Sequence, residues 1–145
     1  MRKKILYALV GVVVIMQLLR PTRNVSDQEN RNDIALHYAV PADLQQVLKT
    51  SCYDCHSNNT RYPWYVNIQP IGWWLQSHVS KGKGELNFSE FGTYNEKKAR
   101  HKFEEIEEMI TQGEMPLKPY LWLHEDARLS AEQAKALVAW ATALK

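Results

Sequence analysis

Cysteine is scarce in this chain: there are two, at positions 52 and 55, and none elsewhere. No second close pair is left to complete a structural zinc knuckle, which takes about four ligands. Long hydrophobic runs are missing as well. The apolar stretch from Ile5 to Met16, with Leu18 and Leu19 beyond a single glutamine, falls short of the roughly 20 residues of a full membrane span. No segment reads as a convincing strand ladder, and no repeat or low-complexity segment is visible. The formal net charge is only +2, and after residue 20 no basic run interleaves with aromatics. Nucleic acid is therefore not an expected partner.

What the two cysteines do form is Cys52-Tyr53-Asp54-Cys55-His56, a CxxCH sequence. Two thiols at this spacing can add to the two vinyl groups of one haem, and the histidine that follows can reach its iron from the proximal side. Other uses of the same thiols fit less well. A redox CxxC disulfide would sit at a helix start after a strand in a βαβ pattern, which the neighbouring sequence does not provide. Zinc would have to recruit scattered histidines. The expectation is one covalently held haem c, with Tyr53 and Asp54 serving as local packing and solvent-facing groups.

The chain opens Met1-Arg2-Lys3-Lys4 before its apolar run, the order of an export signal or short anchor. Leu18, Leu19, Arg20 and Pro21 offer no pair of small residues for cleavage, and no cysteine is present there to carry a lipid. Residues 1–20 thus read as an uncleaved signal-anchor, with the following domain in the periplasm and soluble periplasmic release as the alternative. Residues 21–40 read as a polar tether and residues 41–145 as the haem-binding domain. The domain should be all-α. Pro41 can open a helix whose Leu44, Val47 and Leu48 share a face and which runs into Cys52. Pro70 can open a second, with Trp74, Leu75 and His78 on one side, ending at Lys81-Gly82-Lys83-Gly84. A third runs from about Glu96 to Gln112 with Ala99, Phe103, Ile106 and Ile110 in register and Gly113 as its stop. A last one begins at Ser130, where Gln133 completes a capping box, and presents Ala134, Leu137, Ala141 and Leu144 with Trp140 beside them.

Met115 is the favoured sixth ligand. It follows the end of the third helix and precedes Pro116, which biases it toward an extended backbone. Its thioether could then face the iron opposite His56. His78 is the main rival, His101 and His124 the lesser ones, although a histidine near an apolar face is more often a hydrogen-bonded structural group.

The order of attachment helix, CxxCH, long excursion, Met-Pro loop and closing aromatic-bearing helix resembles class I cytochrome c. More narrowly, Cys52-Tyr53-Asp54-Cys55-His56-Ser57-Asn58, Thr60, Tyr62-Pro63-Trp64-Tyr65, Pro70, Trp73-Trp74, His78, Leu86-Asn87-Phe88-Ser89 and Gly113-Glu114-Met115-Pro116 resemble the small haem-binding domain family (Haem_bd) of Bacteroidetes. The resemblance implies a cytochrome c-like helical domain around one haem c, with Cys52 and Cys55 as attachments, His56 as proximal ligand and, by the class I pattern, Met115 as distal ligand. The aromatic-rich insert from Tyr62 to Phe91 departs from that pattern. The expected function is one-electron transfer to a redox partner protein in the membrane or periplasm. Two alternatives stand beside it: a haem enzyme or gas sensor of peroxidase-like type with an open distal position, and a structural or interaction haem module of a membrane complex.

Overall fold

The computed structural model describes residues 1–145, and all its regular elements are helical. Eight α-helices follow in order: α1 (Arg2–Leu18), α2 (Ile34–His37), α3 (Ala42–Ser51), α4 (Tyr53–His56), α5 (Ile71–Glu85), α6 (Glu96–Thr111), α7 (Lys118–Leu121) and α8 (Ala131–Thr142). Short 3₁₀ turns lie at Trp64–Asn67, Phe88–Thr93 and Glu125–Ala127.

Local chemistry explains the clearest boundaries. Asn95 caps α6 by accepting from the Lys98 amide at 2.9 Å. Past the end of α6, Gly113 takes φ +67°, a left-handed conformation that costs glycine no Cβ clash. At α8 the Ser130 hydroxyl accepts from the Gln133 amide while the Gln133 side chain accepts from the Ser130 amide, so two otherwise orphaned donors are satisfied together.

The apolar faces of α3, α6 and α8 close on one another. Leu44, Val47 and Leu48 of α3, Ala99, Phe103 and Ile106 of α6, and Leu137, Trp140 and Ala141 of α8 are all buried in one core. Phe103 and Trp140 meet edge-on at 5.5 Å, and the Trp140 indole N–H donates to the Ala39 carbonyl at 3.0 Å. Burying such side chains is worth about 1.5–3 kcal/mol each before the entropy of ordering them is counted.

The segment expected to be a tether is part of this packing. Ile34 is fully buried and Val40 nearly so, α2 packs against the Phe88–Thr93 turn, and the Tyr53 hydroxyl donates to Asp33 at 3.1 Å. Asn24 is tied still more closely. Its side chain donates to the Ser57 carbonyl and the Thr60 hydroxyl and accepts from Lys83, while its backbone N–H donates to the Tyr62 hydroxyl. The folded unit therefore begins well before residue 41.

One further expectation is corrected. α5 does not stop at the Lys81–Gly84 turn but continues through both glycines to Glu85. Trp74, Leu75 and His78 do share one side of α5, lining one cavity with the Trp74 and His78 rings 4.3 Å apart, but that side is partly open and the buried positions of the helix are Gly72 and Val79. At the amino terminus α1 forms, but no helix of the chain is long and apolar enough to cross a membrane.

Candidate functional site

The CxxCH motif sits where three elements meet. α3 ends at Ser51, the chain turns at Cys52, and Tyr53–His56 form the single turn α4, so both thiols and the histidine are carried within little more than one helical turn. Cys52 and Cys55 are free of each other. Burial pushes the Cys52 thiol up to about 12, with Cys55 adding to the effect, and pushes Cys55 up to about 11, with Asp54 adding. Both are therefore protonated, weakly nucleophilic thiols at neutral pH.

His56 is oriented by its neighbours. Its Nδ1 lies 3.1 Å from the Leu86 carbonyl, and because a carbonyl only accepts, Nδ1 carries the proton. Nε2 is left with its lone pair. Burial holds the His56 pKa below the ordinary value, against the raising effect of backbone bonds to Leu86 and Gly82, which favours the neutral ring that can ligate a metal. The ring edge also meets Phe88 at 6.3 Å between centroids.

A network on the far side of the motif sets this geometry. The Asn87 side chain donates to Asn58 at 2.9 Å, Asn58 donates to Glu90 at 2.6 Å, and the Asn58 amide donates to the Ser89 hydroxyl at 3.1 Å. These bonds clamp the segment after CxxCH onto residues 86–90 and so place the Leu86 carbonyl at His56. α5 presses on the motif from another side. A Cβ at Gly82 would lie 3.0 Å from the Cys55 carbonyl oxygen and 3.4 Å from His56 Cε1, so glycine permits that approach.

Two adjoining cavities share Ser51, Cys52, His56, Glu85, Met115 and Pro116. One, of about 200 Å³, also takes in Cys55 and His78. The other, of about 420 Å³, is walled by Leu48, Phe88, Ile106, Ile110 and Leu137, with charged groups such as Glu105 and Glu108 among its lining. Its volume lies within the roughly 300–1,000 Å³ of small-molecule and cofactor pockets, and its wall has the mainly apolar character of such sites. Met115 is thus brought to the same space as the motif, from the loop between α6 and α7.

The rival histidines are placed differently. His78 lines the smaller cavity with its Nδ1 2.8 Å from the Trp74 carbonyl, which again leaves Nε2 with the lone pair. His101 lies along the larger cavity but is exposed and sits 3.1 Å from Glu105. His124 is not with Met115; its Nε2 is 2.7 Å from the Tyr65 hydroxyl and its ring stacks on Tyr120 at 4.2 Å. No group of three or more His, Cys, Asp or Glu side chains gathers to hold a metal ion.

Asp54 is not solvent-facing. It is buried, accepts from Arg61 Nε at 3.1 Å and Nη2 at 3.3 Å, and accepts from the Tyr120 hydroxyl at 2.8 Å. Burial and the Asp54 carboxylate together push the Tyr120 pKa up, so its proton stays in the bond. Tyr120 stands five residues after Met115, and this bond ties the loop carrying Met115 to the residue between the two cysteines. Tyr120→Phe should cost about 1–2 kcal/mol in urea unfolding, the usual range for a hydrogen bond to a charged group reduced for partial exposure. An unchanged midpoint would remove the latch.

A family model described as a haem-binding domain matches residues 11–143. Neither a curated protein nor a solved structure matches the chain.

Proposed function

From the premise that the chain belongs to the haem-binding domain family, we propose that it holds one covalent haem c in a cytochrome c-like manner and serves as a one-electron carrier. The bond from His56 Nδ1 to the Leu86 carbonyl carries this reading, because it aims a bare Nε2 from the same turn that bears both thiols. The donor set fits the group: two thiols at CxxC spacing, one proximal histidine, and a mainly apolar cavity with Met115 on its wall. Cys52 and Cys55 would hold the thioethers, and His56 and Met115 would supply the iron's protein ligands. Haem, when bound, supplies an iron that gains and loses one electron. The protein need move no proton; Leu48, Phe88, Ile106 and Leu137 would keep water from the ring, and the ligands would set the potential.

The basic start and apolar run of α1 support a domain exported to the periplasm and held near the inner membrane, where a redox partner protein would meet it. His78 supports a second ligation, bis-histidine, since its Nε2 is also bare and it lines the cavity that Met115 reaches.

Replacing Met115 by alanine should abolish the thioether-to-iron band of the oxidised protein and lower its reduction potential, with haem still attached. Replacing His78 should leave the ligand type unchanged. An unaltered low-spin spectrum in the Met115 variant, together with a high-spin His78 variant, would establish the bis-histidine form instead. Five-coordinate high-spin iron in the unmodified protein, binding carbon monoxide without displacing a protein ligand, would move the reading to the gas-binding or enzymatic alternative.

A further inference from the structure

One face of the domain, adjoining the haem cavity at Cys55 and His78, leaves large apolar side chains in the open. Trp64 is 75 % exposed, Trp74 48 %, Ile68 44 %, Ile71 42 % and Leu123 67 %. They belong together. Trp64 meets Tyr65 edge-on at 6.0 Å, the Tyr65 hydroxyl reaches His124, and Ile71, Trp74 and Leu123 line one small cavity. Single exposed hydrophobic residues are ordinary on a soluble surface, whereas a contiguous group marks an interaction site.

The end of α1 is fixed to this face. The Gln17 side chain donates to the Gln69 carbonyl at 3.2 Å and accepts from the Gln69 amide at 2.9 Å, and the Trp73 indole donates to the Leu19 carbonyl at 2.6 Å. Gln69 and Trp73 alternate along the chain with Ile68, Ile71 and Trp74, so α1 leaves the domain at the edge of the apolar patch. No residue of α1 is buried, and its apolar side chains from Ile5 to Ile15 are exposed on all sides. A helix apolar all round belongs either in a large core or in lipid, and no part of this chain covers it. Its 17 residues extend about 26 Å at 1.5 Å per residue, less than a hydrocarbon core of about 30 Å.

We propose that the face bearing Trp64, Ile68, Ile71, Trp74 and Leu123 docks on a lipid bilayer, as a collar around the point where α1 enters it. α1 occupies the acyl region, and the collar sits at headgroup depth, adding apolar contact that the helix is too short to supply by itself. Tryptophan suits that depth because its large ring is apolar and its N–H is polar. Arg20 and Arg23 lie at the same junction, where anionic headgroups would meet them; Arg23 is held there by a 2.9 Å bond to Asn67 and by stacking over Tyr62 at 5.3 Å. A protein partner could cover the tryptophans but would leave α1 unexplained, whereas one lipid surface covers both.

The test uses the full-length haem-loaded protein and vesicles of phosphatidylcholine with phosphatidylglycerol. Hydroxyl-radical footprinting read by mass spectrometry should show Trp64 and Trp74 protected about fivefold or more by vesicles, while His101 on α6 labels as before. A Trp64→Ser, Trp74→Ser double variant should float with vesicles on the order of tenfold less well. Equal labelling of both tryptophans with and without vesicles overturns the proposal. So does protection that rises with protein concentration in the absence of lipid, which would assign the face to a second copy of the chain. The footprint needs no variant, and an unchanged far-ultraviolet circular dichroism spectrum and urea midpoint show that the double variant is folded. Neither readout passes through the iron, so this inference and the electron-carrier reading fail separately.

Discussion

Replacing Cys52 and Cys55 together by alanine should remove all haem that survives denaturing electrophoresis, because in the proposed attachment each thiol would supply one of the two covalent links and the chain has no other cysteine to substitute. Each single variant should retain one link. Stability should fall as well, since the cavity walled by Leu48, Phe88, Ile106 and Leu137 then depends on a dissociable ligand. A ligand that binds only the folded state contributes about 3–4 kcal/mol at a hundred to a thousand times its Kd, and for a domain of this size that is roughly 10 °C or more in Tm. Both arms can be measured on one preparation, by haem staining and by thermal unfolding. Haem that stays attached to the double variant through boiling would sink the thioether assignment, and an unchanged Tm would mean that the cofactor does not complete the core.

Much of this architecture was legible in local pattern. α6 and α8 are long, periodic and capped, so their buried stripes and the stop before Gly113 follow from helical spacing and side-chain caps. CxxCH is legible for the same reason, since its groups lie within five consecutive residues. The partners that aim the motif are not. His56 is oriented by a backbone carbonyl thirty positions away, and any residue at 86 would supply one. Asp54 reads as a surface carboxylate until Arg61 and Tyr120 are seen around it. Residues 21–40 look like a tether because most of them are polar, yet Asn24 and Ile34 hold them down through contacts with residues 57–91 and with the core. Gly82 and Gly84 carry the local signature of a turn, although a glycine inside a helix can instead mark a close neighbour. Gly82 has such a neighbour and Gly84 has none, and the structure gives no reason for the second.

The glycines of α5 set helix propensity against packing, and the outcome should differ between them. Alanine in a helix interior gains about 0.8–1 kcal/mol over glycine. At Gly84 a Cβ meets nothing, so Gly84→Ala should raise stability by up to about that amount. At Gly72 a Cβ would fall 2.2 Å from the Val66 carbonyl oxygen and under 3 Å from the buried Gln69 amide. The carbonyl belongs to the backbone of the Trp64–Asn67 turn, so relief requires the turn or the helix to move, and overpacking of that kind costs about 1–3 kcal/mol or more. Packing wins, and Gly72→Ala should be destabilising in urea unfolding. Gly82 lies between these cases for stability but not for the site. Its Cβ would press at 3.0–3.2 Å on the Cys55 carbonyl and Cβ and at 3.4 Å on His56, so even a tolerated Gly82→Ala should alter the haem spectrum, and Gly82→Val should disturb it more. If Gly82→Val left both the spectrum and the unfolding midpoint unchanged, α5 would not be what holds the proximal histidine in place.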